Sequence, residues 1–579
     1  MGMNLLVSPE FSLLAASFLP LIFATLFIVP PWRNSIIPLA PWTALPAFLM
    51  VLLGSPKGEI NLSWLLLETR LGMDETGQVF LGFTSLIWIL AGLYAVSYFR
   101  EDSFKLRFFV FYLLTLCGNL GLILALDAVS FYFFFTLMSF AAYGMVVQFR
   151  TNEAFYAGKV YISLVVIGEV LIFTGLIMAV NVAGSHYFAD LPPKIYESSS
   201  SNIIFAFLIV GFGIKIGALP LHVWLPLAHT IAPIPASALL SACMVKAGLL
   251  GWLRILPLGE IASMEGGITM IFAGIIAVFY SAFVGLTQNN PKAVLAYSTI
   301  NHMGIMTIAI GAALRSPQLW FEFWSVLMLY VASHAFIKSA LFLSVGVHRM
   351  SLSSAVLYFL RIALLIIPIL AIIGAPLTLG AASKQLIKHP ILGGFGGDWL
   401  KLLLIFSSVV ATLLMMRFLY FIWPDKKDEK TPFNKGVFIS WTVLVFLILI
   451  APILLSSGGL LVDYVFFPID WKSLFPIAGA ALLSLLFLYF NIPKPFTIPL
   501  GDVLIIYLKI LNSVEDWILQ MIALFEKKYL RFKAFLFHTL NTFLLSEWKI
   551  LNLVEKRSES WPVFGAVFLI LMVVFFLVQ

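Results

Sequence analysis

Only two cysteines occur in 579 residues, Cys117 and Cys243, and both sit inside apolar runs. That number and placement exclude a disulfide framework and a cysteine-ligated metal site. Charged residues make up 11% of the chain, against about 25% in a soluble domain, so a water-solvated globule is excluded. No glycine-rich nucleotide loop and no haem-like histidine pair is present, and no cofactor is expected on this chain. The start lacks a basic stretch followed by a short apolar core and a cleavage site, so the first helix is expected to be retained. Runs such as FAFLIVGFGIKIGAL (205–219) do not alternate in polarity, which argues against a transmembrane β-barrel. What remains abundant is apolar side chain, at 61%.

Apolar runs near twenty residues recur along the chain, and each can cross a hydrocarbon core about 30 Å thick as a helix. The fold class expected is an all-α polytopic membrane protein. About sixteen spans are predicted, near 11–30, 36–54, 78–99, 106–126, 128–149, 159–181, 203–219, 232–253, 268–287, 294–313, 322–347, 359–380, 399–423, 435–456, 471–491 and 560–578. Thirteen Lys and Arg fall in the connections after odd-numbered spans, up to the thirteenth, and seven in the even-numbered connections. The positive-inside bias then predicts a cytoplasmic membrane with the N-terminus outside. Between 500 and 556 the pattern changes. Leu508, Leu511, Trp517, Met521, Leu524, Leu536 and Leu540 recur at helical spacing among Lys509, Glu515, Lys527, Lys528, Arg531 and Lys533, which predicts an amphipathic helix lying laterally along the cytoplasmic interface. The alternative is two shorter helices broken near Leu544–Ser546. A continuous helix here would run about 85 Å and would have to touch neighbouring subunits.

Charge inside a bilayer is expensive, about 2.5–3.5 kcal/mol at mid-helix on insertion scales. Glu169, Lys215, Lys246, His334, Lys338 and Arg417 nevertheless lie within predicted spans, and Lys384 follows the twelfth. A buried lysine can accept and release a proton near physiological pH, which an arginine cannot do. Lys215, Lys246 and Lys338 are therefore read as a proton or cation relay, whereas Arg417, near its helix end, is as well explained by snorkelling. His302, and His334 at i, i+4 spacing from Lys338, are candidates to bridge lysines through water. His222 and His229, beside a helix break, suit a structural role at least as well.

Two lysines neighbour helix breakers. Lys215 precedes GALP (217–220) and Lys384 follows GAPLTLGAAS (374–383), and broken membrane helices mark hydrated paths. Lys215 and Lys384 are 169 positions apart, and Lys246 and Arg417 are 171 apart, an offset of five spans each time. Two inverted five-helix repeats are expected, over 106–254 and 268–423, because an odd number of spans per repeat inverts the second copy. Residues 1–105 supply N-terminal spans, 424–499 further spans, 500–556 the lateral helix and 557–579 a last span.

The stretches GFGIKIGALPLHVWLPLAHTIAPIPASALLSACMVKAGL (211–249), NNPKAVLAYSTINHMG (289–304), HAFIKSALFLSVG (334–346) and GAPLTLGAASKQLI (374–387) resemble the antiporter-like ion-translocating subunits of respiratory complex I, Mrp-type antiporters and energy-converting membrane-bound hydrogenases. The resemblance covers about residues 70–425, and the tail looks like the distal variant with a lateral helix. It implies that Lys215 is the seventh-helix lysine, Lys246 the eighth-helix connecting lysine, His334 and Lys338 the central pair, and Lys384 the exit group. It also implies partners: other membrane subunits, antiporter-like neighbours under the lateral helix, and a peripheral redox module, with no nucleic acid. The family's fifth-helix glutamate is missing, since FTLMS (135–139) puts Thr136 in its place. Glu169, one helix later, is the candidate replacement partner of Lys215. The family motif usually carries Asp after WLP, where Leu227 stands here, and Asp near Asn290. Three roles follow. The first is a proton- or sodium-translocating, non-redox subunit of a hydrogenase-like complex, the second an Mrp-type antiporter subunit, and the third a spacer that has lost transport.

Overall fold

Hydrocarbon offers backbone groups no partner, so a chain this apolar must satisfy them within helices. The computed structural model describes residues 9–54, 58–352, 354–394, 398–423, 431–457, 471–489 and 497–554. Along them run α1 (Pro9–Leu26), α2 (Pro30–Ile36 with Ala40–Leu52), α3 (Glu75–Tyr98), α4 (Lys105–Leu124), α5 (Ala128–Val146), α6 (Asn152–Ala183), α7 (Ser201–Ile216), α8 (Trp224–Ile231) and α9 (Ile234–Ile255). There follow α10 (Met264–Thr287), α11 (Pro291–Arg315), α12 (Trp320–His348), α13 (Ala355–Ile373), α14 (Leu379–Gly394), α15 (Asp398–Ile422), α16 (Lys435–Ser457), α17 (Leu474–Tyr489) and α18 (Leu504–Val554). A hairpin, β1 (Glu59–Leu62) against β2 (Thr69–Gly72), precedes α3. Among the described residues, 11 helices are long and apolar enough to cross a membrane, or 12 with the two halves of α2 counted as one span. The expected last span, 560–578, lies outside the described residues.

Two predicted spans are broken, and one predicted connection is helical: residues 30–36, expected to link the first two spans, form Pro30–Ile36, which meets Ala40–Leu52 at 72°. The span expected at 203–219 stops at Ile216, where Gly217 takes φ +78°, and resumes separately as α8. The span expected at 359–380 stops at Ile373, where Gly374 takes φ +83°, and resumes as α14. Positive φ costs glycine no Cβ clash, so the two predicted breaker sequences end their helices by the same device.

Helix starts are capped by acceptors that the sequence supplies at the right place. Asp74 accepts from the Gly77 amide at 2.8 Å and Asp127 from the Ser130 amide at 2.7 Å, which satisfies N-terminal N–H groups. Asp74 also takes a two-pronged bond from Arg254 at 2.9 and 3.1 Å, joining α3 to the end of α9.

Packing between helices relies on small residues, as expected where lipid is as apolar as leucine. A Cβ added at Gly274 of α10 would sit 2.5 Å from the Gly304 carbonyl of α11, and one at Gly311 would sit 2.6 Å from that of Gly267. The same device joins α6 to α7, where a Cβ on Gly211 would lie 3.1 Å from the Gly168 carbonyl. The spans α9, α11 and α12 are the innermost. By contrast α6 is one-sided: Leu164, Val165, Gly168, Glu169, Ile172 and Leu176 are buried, while Val166, Ile167, Val170, Phe173 and Ile177 are exposed. An exposed face that is apolar from Val166 to Ile177 suits lipid, and Glu169 lies on the buried side.

Residues from 503 onward form a separate unit. Within it α18 is one helix of 51 residues, about 77 Å long, and it runs without interruption through 544–546.

Candidate ion pathway

Glu169 and Lys215 share one small cavity, lined also by Phe135, Ser139, Gly168, Ile214 and Trp224. Its volume of about 10 Å³ is the space that one water needs. The cavity stays this small because α6 and α7 approach closely at Gly211, where an added Cβ would lie 3.0 Å from the Ile172 nitrogen. The Glu169 carboxylate is held by Thr136, whose hydroxyl donates to Oε2 at 2.6 Å, while Oε1 is buried with no hydrogen-bond partner. Lys215 donates to Ser139 Oγ at 3.0 Å and to Tyr161 Oη at 3.4 Å, and its ammonium lies 5.7 Å from the ring centroids of both Phe135 and Tyr161. Tyr161 in turn donates to the Ser139 carbonyl at 2.8 Å. Lys215 occupies the last turn of α7, where unpaired carbonyls attract a cation. Thus the position expected to carry the fifth-helix glutamate, and the carboxylate one helix later, meet in one site.

A second group of charges fills the centre. Lys246, Lys338 and His334 are almost wholly buried, with 0%, 0% and 2% of their surface exposed. Residues Leu240–Met244 of α9 form a π-helical turn, which is wider than an α-turn and redirects backbone carbonyls. The Ser241 carbonyl accepts from Lys246 Nζ at 2.6 Å, and the Ser241 hydroxyl meets Thr299 Oγ1 at 2.8 Å. Thr299 donates to the Leu295 carbonyl at 3.0 Å, and Lys338 Nζ donates to that same carbonyl at 2.9 Å. Because the Thr299 proton is committed to Leu295, Ser241 is the donor to Thr299. Lys246 and Lys338 are thereby anchored to one group of polar atoms on three helices, Lys246 through the Ser241 carbonyl and Lys338 through the Leu295 carbonyl, with the Ser241 and Thr299 hydroxyls between them.

From Lys338 the cluster continues toward α14. His334 has neither ring nitrogen hydrogen-bonded, and its ring centroid is 5.0 Å from that of His302. His302 meets Tyr330 Oη through Nδ1 at 2.7 Å and leaves Nε2 without a partner. Ser333 Oγ donates to Ser383 Oγ at 3.2 Å, next to buried Lys384. The Lys384 side chain passes over Gly374, where an added Cβ would lie 2.9 Å from Lys384 Cδ. Among the described residues no hydrogen bond runs directly from Lys215 to Lys246. Their helices touch at Gly248, whose Cβ would fall 3.0 Å from Lys215 Cβ.

Arg417 stands outside this series. It donates twice to the Gln288 carbonyl, at 3.2 and 3.0 Å, and to Asn289 Oδ1 at 3.1 Å, so it tethers α15 to the turn between α10 and α11. His229 lies flat on Phe342, ring centroids 4.6 Å apart, in a packing role.

Residues 125–422, just over half of the chain, match the family profile described as NADH:quinone oxidoreductase/Mrp antiporter, TM. The chain belongs to this family. Hydrogenase-4 component B of Escherichia coli is 28% identical over 291 residues, covering 48% of this chain and 43% of the relative. NADH-quinone oxidoreductase subunit M of Rickettsia bellii is 29% identical over 355 residues, covering 60% of this chain and 69% of the relative. A putative antiporter subunit, mnhA2, of Staphylococcus haemolyticus is 24% identical and covers 68% of this chain and 54% of the relative. The chain therefore spans less than half the length of the hydrogenase component that it matches. Two solved structures share the fold at 18% identity. The Mrp complex of Dietzia sp. aligns with a TM-score of 0.70 over 89% of this chain and 60% of that one, and a membrane-bound sulfane sulfur reductase of archaeal origin with 0.68 over 98% and 100%. An integral membrane, antiporter-like subunit of the type found in such complexes is the class to which the chain belongs.

For a member of this family, sequence reasoning missed the polar residues that link the lysines. Ser139, Tyr161, Ser241 and Thr299 each look like an ordinary small or aromatic residue in an apolar helix. Hydroxyls spaced around buried lysines were the available signal.

Proposed function

We propose that this chain translocates protons, with sodium as the alternative cargo, as a non-redox membrane subunit of a redox-driven complex of hydrogenase-like type. The observation that carries the reading is the polar connection from Lys246 through Ser241, Thr299 and the Leu295 carbonyl to Lys338. Both ammonium groups donate to carbonyl oxygens, which only accept, so the Ser241 and Thr299 hydroxyls orient the two lysines, and a proton passes between them by way of water in the same polar gap. In this reading Glu169 and Lys215 form the entry, Lys246, Lys338, His334 and His302 the middle, and Lys384 the exit. Glu169 takes over the role vacated at Thr136. The repeats 106–254 and 268–423 supply two half-paths, α18 lies laterally at the cytoplasmic face against antiporter-like neighbours, and the N-terminus faces outward. Similarity to a hydrogenase-4 component and to a sulfane sulfur reductase complex supports the redox-driven assignment. An Mrp-type antiporter subunit is the second reading, favoured by the similarity to mnhA2 and to the Mrp complex.

The test is to purify the native assembly, identify its subunits, and follow acidification of inverted vesicles that contain it. Lys246→Met and Lys338→Met are expected to abolish acidification while the complex stays assembled. Full acidification by both variants would refute the relay, and co-purification of antiporter subunits alone would select the second reading.

A further inference from the structure

His222 lies in the break between α7 and α8, is fully buried, and belongs to neither lysine group. Its Nδ1 is 3.0 Å from the Pro220 carbonyl, and its Nε2 is 3.5 Å from Asp502 Oδ1. Asp502 is itself almost enclosed, with 5% of its side chain exposed, and its Oδ2 accepts from Tyr280 Oη at 2.6 Å and from Tyr297 Oη at 3.4 Å. The same short segment is stitched down once more: the Ile498 carbonyl accepts from Gln288 Nε2 at 3.0 Å and the Ile498 amide donates to Thr287 Oγ1 at 3.3 Å.

Hydrogen-bond bookkeeping fixes the protons here. A carbonyl can only accept, so Nδ1 must carry a hydrogen. If Nε2 carried none, its lone pair would face a carboxylate oxygen across 3.5 Å of buried space. A carboxylate that accepts from two phenols is suited to its ionised form. One further proton must therefore lie between Nε2 and Oδ1, and a carboxylate that already accepts from two phenols leaves it on Nε2.

We propose that His222 and Asp502 are a second proton-holding site of this chain, a buried imidazolium–carboxylate pair that fastens residues 497–502 to the break in the discontinuous helix. The pair holds one proton that no lysine in the pathway supplies. Loss of that proton leaves a buried carboxylate facing a lone pair, so occupancy by the proton and closure of this contact go together. The site is independent of the transport reading, because it stands on the tautomer that Pro220 imposes.

Nitrogen-15 histidine spectra of the full chain in lipid nanodiscs test it. His222→Gln identifies the resonance of His222 among the eight histidines of the chain. At neutral pH the wild type is expected to show both His222 ring nitrogens protonated, and Asp502→Asn to convert it to neutral imidazole. A neutral His222 in the wild type overturns the proposal, and so does an imidazolium that persists in Asp502→Asn. Should Asp502→Asn fail to assemble, the wild-type spectrum alone decides. As a second reading, deuterium exchange at the Ile498 amide should speed up about tenfold in Asp502→Asn and in His222→Gln, with little further gain in the double variant. Multiplying effects in the double variant would refute the pairing.

Discussion

Replacing Thr299 with valine tests the central connection with almost no change in shape. Valine keeps the branched outline of threonine but removes the hydroxyl that accepts from Ser241 at 2.8 Å and donates to the Leu295 carbonyl at 3.0 Å. The Leu295 carbonyl keeps its bond from Lys338, and Lys246 keeps its bond to the Ser241 carbonyl. Only the span between them is cut. Two neutral hydrogen bonds are worth about 1–3 kcal/mol net together. If that energy aligns the path in the transition state for charge movement, its loss slows transport about 5- to 150-fold. The assay is acidification of inverted vesicles bearing the native complex, normalised to the redox rate of the same vesicles. Thr299→Ser restores the hydroxyl and is expected to recover most of the rate. Transport by Thr299→Val at more than half the wild-type rate would refute the claim that this link aligns the path for charge movement. A loss equally deep in Thr299→Ser would assign the effect to packing.

The remaining predictions concern the entry site and the helix geometry that supports it. Glu169→Gln is expected to cut vesicle acidification at least about tenfold, whereas the exchange Thr136→Glu with Glu169→Thr, which returns the carboxylate to α5, should recover a substantial part; unchanged acidification in Glu169→Gln would remove Glu169 from the pathway. Thr136→Ala removes the hydroxyl that donates to Glu169 Oε2 and should destabilise the assembled chain by about 1.5–3 kcal/mol, measured as a lower thermal midpoint in detergent. Gly374→Ala must adopt φ +83° and crowds Lys384 Cδ at 2.9 Å, so a cost of about 1–2 kcal/mol from the backbone alone should accompany reduced transport. In Gly304→Ala the new methyl lies 2.8 Å from the Gly274 carbonyl, which should cost about 1–3 kcal/mol and lower the midpoint without removing any polar group of the pathway.

The membrane class was legible because twenty-residue apolar runs leave a chain no other way to satisfy its backbone. The lysines were legible for the converse reason, since an ammonium in such a run needs an explanation. Helix breaks at Lys215 and Lys384 could be read from GALP and GAPLTLG, because a glycine able to take positive φ followed by proline ends a helix wherever it occurs. The first half of α2 was less legible: PPW (30–32) starts a short helix before Ala40 takes over, and hydropathy alone leaves residues 30–36 as a connection. The π-turn at Leu240–Met244 was not legible at all, since LSACM is an ordinary apolar stretch.

Glu169 shows where sequence stops and geometry begins. The residue types on α6 permit several registers, and a carboxylate on the face of Val166 or Val170 would have met lipid. Gly168 and Gly211 decide the matter, because helices can approach this closely only where both lack side chains, and that contact turns the neighbouring Glu169 inward to Thr136. A carboxylate lost from one helix can thus be replaced from the next only if the two helix faces already converge. Here they converge on a cavity of about 10 Å³, so the carboxylate that Thr136 holds on α6 and the lysine at the end of α7 share the space of one water.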